Sequence, residues 1–313
     1  MTYRFSLLLV LILLGWPTST LWAEPVPKQT LHCIGYLTTP DPQSTKDKPL
    51  PNVLAGTAFV VGYEYKERPS TAYLFLVTAR HVLFDAKGQR LSKLSLRMNH
   101  KETSKAFDFG PLKNNRWVLA PDPAVDLAIY LGLPKQASYL RVPNSLFVTD
   151  QDVTQNSIGV GDEVFFVGLL PYHAGQEKIT PIVRFGRLAL LTEEKTTDGK
   201  YYHFIDADNL PGHSGAPVFL WATPTRTAGH LVAGSRIMKL WGVVSGMIEY
   251  PKPLKAVNVR PTARIPIDYR SGGVTVVVPI KHLEEILQSD QVRRALGIHQ
   301  AKEPVSGTTQ TDG

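Results

Sequence analysis

The sequence holds a single cysteine among its 313 residues, so no disulfide can form within the chain. Small exported domains often depend on such cross-links, whereas this chain, 43% of whose residues are hydrophobic, must be stabilised by its core. The one thiol, Cys33, lies in Leu31–Tyr36, whose residue types are typical of a β-strand. No catalytic cysteine signature surrounds it, and we therefore predict a buried structural residue.

Runs of basic residues are absent as well. Lysine and arginine number 34 against 27 aspartates and glutamates, a formal net charge of +7, but they are scattered along the chain. A nucleic-acid-binding protein usually collects them on one element, often with interleaved aromatics. We expect no nucleic-acid partner and interpret the charge as a solvated surface.

Signatures of metal and cofactor binding are also missing. The nine histidines form no His-Glu-x-x-His pair, and no Cys/His cluster has the spacing of metal ligands. The sequence contains no dinucleotide or phosphate loop. It therefore implies no metal and no cofactor, and it disfavours a metalloenzyme.

The apolar stretch near the beginning of the chain is too short for a membrane helix. It runs from Phe5 to Trp16, roughly 12 residues against the need for about 20. Arg4 precedes it, and Pro17 and small polar residues follow up to Ala23, which is the order of a secretory signal peptide. We expect cleavage after Ala23, export to the periplasm or the medium, and no stable membrane anchor afterwards; an uncleaved anchor is the alternative.

Short β-rich runs separated by Gly, Pro, Asp and Asn dominate the rest of the chain. They include Thr57–Tyr63, Tyr73–Thr78, Leu94–Met98, Leu127–Leu131, Glu163–Gly168, Tyr201–Asp206, Leu240–Met247 and Val274–Pro279. Helical periodicity is strong only in Ile280–Gln288, where Leu283, Ile286 and Leu287 share one face. Many short strands with one closing helix favour an all-β barrel or sandwich. The stretch Gly132–Val160 is predicted to be a loop that could join two barrels.

One serine lies in a segment suited to nucleophilic catalysis. Residues Pro211–Val218 read Pro-Gly-His-Ser-Gly-Ala-Pro-Val, and glycines near Ser214 allow a tight turn and a close approach to a substrate carbonyl. Acyl transfer needs an activated hydroxyl, a base, an acid that orients the base, and backbone N–H donors for the oxyanion. The N–H groups of Gly212 and Ser214 are the expected donors. Seen alone, such a cluster is more often an ordinary turn.

A histidine and an aspartate stand at the edges of two β-rich runs. His81 follows Tyr73–Thr78, and Asp126 directly precedes Leu127–Leu131. Seen alone, each is more often a packed histidine or a turn aspartate. The two residues and the serine nevertheless occur in the chain order His, Asp, Ser.

The three segments together resemble the trypsin-like (chymotrypsin-fold) serine peptidase superfamily, whose triad follows that order. Gly56–Val61 is similar to the family's strand before the histidine, Thr78–His81 to its Thr-Ala-x-His block, and Asp126–Ala128 to its Asp-hydrophobic-Ala block. The spacing before Ser214 is most similar to the disulfide-free bacterial branch, including the protease part of HtrA-like peptidases.

This resemblance implies an all-β fold of two antiparallel six-stranded-type β-barrels with a C-terminal α-helix, the site lying in the cleft between the barrels. It implies a serine endopeptidase with Ser214 as nucleophile, His81 as general base and then acid, and Asp126 as its orienting partner. The substrates would be proteins or peptides, cleaved through an acyl-enzyme. His213 stands where animal zymogens carry an aspartate that pairs with a freed N-terminus, so that activation switch is not available.

The expected division is a signal peptide (1–23), an N-terminal barrel with His and Asp (24–145), a C-terminal barrel with Ser and the helix (146–298) and a disordered tail (299–313).

The same resemblance suggests where substrate binds. Trp241–Met247 is similar to the strand that pairs with substrate backbone, which makes Ser245, Gly246 and Met247 the expected binding residues. Asp208 lies six residues before the serine, where trypsin has the acid of its basic-selective pocket. A turn residue is the alternative reading of Asp208.

Two other functions stay open. The serine segment also resembles the nucleophile elbow of an α/β-hydrolase esterase, whose triad would be Ser214, Asp268 and His282. That elbow requires a strand leading into the serine and a helix directly after it, whereas Pro211 precedes it and the strand-like Val218–Leu220 follows. The other alternative is a catalytically silent member that binds peptides or partners.

Overall fold

The structure is a computed structural model that describes residues 26–298 except 46, 49, 171–174, 176, 224–235 and 254–266. The predicted signal peptide and the predicted disordered tail lie outside the described residues. Within the described part, no helix has the length and apolar character needed to cross a membrane.

The N-terminal half forms one nine-stranded sheet. Seven strands follow one another in the order β5-β4-β1-β2-β3-β7-β6, while β8 pairs with β4 and β9 pairs with β2, the latter in parallel. The strands are β1 Ile34–Thr39, β2 Val53–Glu64, β3 Ala72–Thr78, β4 Ser95–His100, β5 Ala106–Phe109, β6 Trp117–Leu119, β7 Ala128–Leu131, β8 Ala137–Ser138 and β9 Val142–Pro143.

The C-terminal half closes into a six-stranded antiparallel barrel in the order β10-β11-β12-β15-β14-β13. Its strands are β10 Glu163–Gly168, β11 Ile182–Leu190, β12 His203–Asp206, β13 Pro217–Ala222, β14 Ile237–Pro253 and β15 Ile267–Pro279.

Several strands have continuous apolar sequences, and both of their faces are buried. In β10, Val164 and Phe166 enter the core inside the C-terminal barrel, while Phe165 and Val167 enter a second core. That second core also receives Phe59 of β2, so it joins the two halves of the molecule. Alternate side chains of a strand point to opposite faces, so an uninterrupted run such as Val-Phe-Phe-Val fills two cores at once.

Four α-helices complete the described fold: α1 Lys28–His32, α2 Asp150–Gln155, α3 Ile280–Gln288 and α4 Asp290–Ala295. The predicted bounds and apolar face of α3 agree with the structure, since Leu283, Ile286 and Leu287 are fully buried in the core shared by both halves. The all-β fold with a C-terminal helix is confirmed.

Two local predictions were wrong. The strand expected over Leu31–Tyr36 begins only at Ile34, because α1 continues to His32. The loop expected over Gly132–Val160 contains β8, β9 and α2. These elements have too few residues to show a hydrophobic periodicity in the sequence. Cys33 is fully buried as predicted, and burial raises the pKa of its thiol.

Candidate active site

His81 and Asp126 are brought together by the ends of two paired strands. β3 leads into a 3-10 helix, Arg80–Leu83, that carries His81, and Asp126 lies two residues before β7, the antiparallel neighbour of β3. The carboxylate accepts from His81 twice: Oδ1 from the backbone N–H at 2.9 Å and Oδ2 from ring Nδ1 at 2.7 Å. Because a carboxylate only accepts hydrogen bonds, this contact selects the tautomer of the neutral imidazole in which Nδ1 carries the proton and Nε2 has the lone pair.

The Asp126 carboxylate is buried and has one more donor. The Ser245 hydroxyl on β14 donates to Oδ2 and lies 3.3 Å from the hydroxyl of Tyr202. A buried carboxylate is costly unless its oxygens accept hydrogen bonds, and these contacts meet that need. The imidazole of His81 remains half-exposed, so its other ring nitrogen can face a substrate.

The backbone around Ser214 makes a tight turn. Gly212 and Gly215 have φ angles of 99° and 88°, a region that favours glycine. The N–H of Gly215 donates to Val244 O of β14 at 2.7 Å, which ties the turn to the barrel. Within the described part of the chain, the N–H groups of Gly212 and Ser214 donate to no protein acceptor. The turn therefore has two unused donors, the arrangement expected of an oxyanion hole.

The hydroxyl of Ser214 points to the neighbouring strand in this structure. It donates to the carbonyl of Ser245 at 3.1 Å, and among the described residues no hydrogen bond joins it to His81. Catalytic hydrogen bonds in proteins without substrate are often long or unformed. Donation to the histidine would require the serine hydroxyl to leave the Ser245 carbonyl.

Thr57 of β2 contacts this turn from the other half of the molecule, and the sequence had suggested no role for it. Its hydroxyl donates to Gly212 O at 2.7 Å, and its backbone N–H donates to Ser214 O at 2.9 Å. Its own carbonyl accepts from the Thr78 hydroxyl at 2.7 Å. Both threonines are fully buried. The one sequence signal was a polar residue within the otherwise apolar run from Val53 to Val61.

His213 anchors the turn inside the C-terminal half. It is fully buried against Phe166, and its Nδ1 lies 2.8 Å from Oδ1 of Asn209. Burial lowers the pKa of His213 to about 4. The side chain is therefore neutral at ordinary pH and packs next to the turn that carries Ser214.

The residues predicted to bind substrate lie around this turn. Ser245 and Gly246 belong to β14, and the Gly246 carbonyl already accepts from Asn209 Nδ2 at 2.9 Å. Met247 is partly buried opposite Thr275 of β15. Asp208 is two-thirds exposed and lies 3.5 Å from the guanidinium of Arg184. A pocket role for Asp208 stays a prediction.

The surroundings of the serine differ from a nucleophile elbow. Ser214 is followed by strand β13, where that elbow needs a helix. His282 is buried on α3 and pairs with Glu285 at 2.9 Å, while the side chain of Asp268 lies outside the described part of the structure. Among the described residues, no group of three or more His, Cys, Asp or Glu side chains could hold a metal ion.

Three solved structures are similar to parts of this chain. The chain resembles the structure of the HtrA-type protease AlgW with a tripeptide, at 16% identity and a TM-score of 0.46, covering 86% of this chain and 62% of that one. It also resembles AlgW with a decapeptide, at 16% identity and 0.44, over 88% and 75%, and Deg5, at 17% identity and 0.43, over 82% and 88%. The chain thus spans less than two thirds of the first of these structures. No curated protein sequence matches it.

A family model described as a trypsin-like peptidase domain matches residues 56–223, more than half of the chain. The match begins just before Thr57 and ends just after β13, so it includes His81, Asp126 and Ser214. The chain belongs to the trypsin-like peptidase domain family.

Proposed function

We propose that this protein is an exported serine endopeptidase that cleaves peptide bonds through His81, Asp126 and Ser214. The observation that carries the proposal is the double hydrogen bond between Asp126 and His81. It fixes both the position and the tautomer of an imidazole whose ring is half-exposed. A histidine that served only for packing would not need a buried carboxylate on both its backbone and its ring.

In the proposed acylation step, substrate backbone pairs with β14 and donates an N–H to the Ser245 carbonyl. This carbonyl now accepts from Ser214, so substrate binding would free the serine hydroxyl to turn toward His81. The Ser214 Oγ then bonds to the substrate carbonyl carbon while its proton passes to His81 Nε2. When the C–N bond breaks, the same proton goes to the departing amine.

Charge on the substrate oxygen would be stabilised by the N–H groups of Gly212 and Ser214. Neither donates to a described protein acceptor, so neither must break a hydrogen bond before it receives the oxyanion. Donors arranged in advance lower the barrier because no reorganisation is needed during reaction.

Deacylation would reverse these roles with water as the nucleophile. His81 takes a proton from water, the water oxygen bonds to the acyl carbon, and the C–Oγ bond breaks. The proton on His81 returns to Ser214 Oγ, and the new carboxylic acid leaves and releases its own proton to solvent. Asp126 stabilises the imidazolium in both halves of the reaction.

Export is proposed from the residues before Glu24, whose order is that of a signal peptide. The destination would be the periplasm or the medium, and the substrates would be proteins or peptides. N-terminal sequencing of the protein purified from an exporting bacterial host tests this part. A mature chain that begins at Glu24 is expected; an intact Met1 in exported protein would contradict cleavage.

One observation favours a second candidate, a silent member that binds peptides without cleaving them. In this structure the Ser214 hydroxyl donates to Ser245 and not to His81. A permanent hydrogen bond of that kind would leave the serine without its base.

A fluorophosphonate probe separates the two candidates. The purified chain should be labelled, and both Ser214→Ala and His81→Ala should abolish labelling. Labelling that persists in both variants would contradict the triad. A chain that is folded, unlabelled and still binds peptides would support the silent candidate. Labelling without cleavage of any member of a peptide library would indicate an esterase or a narrowly restricted protease.

A further inference from the structure

In the turn that carries Ser214, both polar atoms of one peptide group are hydrogen-bonded. The peptide between Gly212 and His213 has its carbonyl bound by the Thr57 hydroxyl at 2.7 Å and its N–H bound to Leu210 O at 3.1 Å. This peptide joins the two expected oxyanion donors, which are the N–H groups of Gly212 and Ser214. Its orientation therefore sets their separation and relative direction.

Thr57 makes a second contact just beyond the first. Its backbone N–H donates to Ser214 O at 2.9 Å, so one residue binds the carbonyls on both sides of the serine turn. The space there is closed: a Cβ on Gly215 would lie 2.1 Å from Thr57 O. Thr57 and the turn are in direct contact, with no room for a water molecule between them.

The hydroxyl of Thr57 both donates and accepts a hydrogen bond. While it donates to Gly212 O, it accepts from the N–H of Leu169 at 2.9 Å. Leu169 directly follows β10 in the C-terminal half. One hydroxyl of the N-terminal sheet therefore bridges two separate segments of the C-terminal barrel, and it is completely buried.

We propose that Thr57 is a positioning residue for the oxyanion hole, acting across the boundary between the two halves of the molecule. Its hydroxyl fixes the Gly212–His213 peptide and thereby aims the donors of Gly212 and Ser214. The inference rests on the proposed peptidase function. It means that the oxyanion hole is complete only when the N-terminal sheet is docked on the C-terminal barrel.

The test replaces the hydroxyl in the purified full-length chain. Thr57→Val keeps the shape and removes the hydroxyl, while Thr57→Ser keeps the hydroxyl. Active sites are counted by fluorophosphonate titration, and kcat and KM are measured per titrated site on one peptide substrate. Removing a donor of an oxyanion hole lowers kcat by about 10²–10³-fold. For the loss of its positioning residue we expect a fall in kcat of about 10- to 100-fold with KM changed less than about threefold.

The conservative variant and a matched control exclude a merely structural effect. Thr57→Ser should restore kcat to within about threefold of the wild type. Thr30→Val is the control: the Thr30 side chain is buried like that of Thr57, and its hydroxyl donates to Pro27 O at 2.8 Å. Thr30 lies far along the chain from Ser214. The control variant should lower the melting temperature without changing kcat per titrated site. Unchanged kcat in Thr57→Val, or an equal loss in Thr57→Ser, would overturn the proposal.

A second measurement keeps this test separate from the proposed function. In a crystal structure of Thr57→Val, the Gly212 carbonyl should turn away from residue 57, since its partner is gone. An unchanged peptide overturns the positioning role whether or not the wild type is active. Should Thr57→Val not fold, Thr57→Ala removes the same hydroxyl without crowding the site and serves for both measurements. If the Ser214→Ala variant behaves like the wild type in every assay, the peptidase proposal is overturned instead.

Discussion

Asp126 binds His81 at two places, with one carboxylate oxygen on the backbone N–H at 2.9 Å and the other on ring Nδ1 at 2.7 Å. One carboxylate therefore holds both the imidazole ring of His81 and the backbone that carries this ring. Rotation of the imidazole would break one hydrogen bond, and movement of the 3-10 helix would break the other. The histidine is thereby oriented before any substrate arrives.

Asp126→Asn should therefore damage catalysis far more than binding. An amide presents an N–H₂ group where the carboxylate had an acceptor, so it favours the wrong tautomer of His81. By analogy with the triad of chymotrypsin-like enzymes, we expect kcat to fall by about 10³–10⁴-fold with little change in KM. Steady-state kinetics on a peptide substrate provide the measurement.

Asp122→Asn is the matched control for this change. Asp122 lies on the same loop and accepts from the N–H of Ala124 at 2.8 Å, but it does not contact His81. Its replacement should leave kcat within about twofold of the wild type. A similar kcat in both variants would show that Asp126 does not orient the base.

Gly215→Ala should abolish activity and lower stability. The new methyl group would meet Thr57 O at 2.1 Å and the Thr78 hydroxyl at 2.4 Å, and the φ of 88° disfavours any L side chain. Either the serine turn moves away from β2 or the two halves separate. Fluorophosphonate labelling and thermal unfolding measure both effects.

Gly159→Ala is the comparison for the glycine change. A methyl group there meets nothing within 4 Å, and the backbone is not in the left-handed region. Labelling and melting temperature should match the wild type. Equal behaviour of the two alanine variants would mean that the close contact between Gly215 and Thr57 does not exist in solution.

The free energy of unfolding should fall as the pH drops from about 6.5 to 4. Burial lowers the pKa of both His203 and His213 from 6.5 to about 4 in the folded chain. The unfolded chain therefore takes up these protons first, so the stabilisation is complete above pH 6.5 and decreases until the folded state is also protonated. Each histidine contributes up to about 1.4 kcal/mol per pH unit in that window.

His203→Phe isolates one of these contributions. His203 is buried on β12 beside Trp241, and its Nδ1 has no hydrogen-bond partner among the described residues. Urea unfolding measured across the window should show a slope smaller by about 1.4 kcal/mol per pH unit. An unchanged slope in His203→Phe would contradict a lowered pKa.

Two buried tyrosines should respond in opposite ways to the loss of their hydroxyls. Tyr65 OH donates to Leu287 O of α3 at 2.6 Å and so ties the C-terminal helix to the N-terminal half. Tyr36 OH is equally buried but has no partner among the described residues. Tyr65→Phe should destabilise the protein by about 1–2 kcal/mol, whereas Tyr36→Phe should be neutral or stabilising. Destabilisation of similar size in both variants would show that Tyr36 OH is also bonded.

Much of the fold could be predicted because its signals are local. Runs of Val, Ile, Phe and Tyr between turn residues identified β10 and β3 closely, and the apolar period of α3 identified its buried face. The chain order of His81, Asp126 and Ser214 pointed to the family because each residue sits at the end of a recognisable strand. Elements with few residues gave no such signal, so α1, α2 and the two-residue strands were missed.

The sequence by itself determined which residue types stand beside which strands, and hence the family and the expected nucleophile, base and acid. Only the tertiary structure decided which of them share a hydrogen bond, since Asp126 and Ser245 are 119 residues apart and meet where the N-terminal sheet packs against the C-terminal barrel. It also decided the role of Thr57, whose bond to Gly212 crosses 155 residues of chain. Local patterns report periodicity and turns. Contacts between distant strands depend on how the two halves pack, which no segment of the sequence specifies alone.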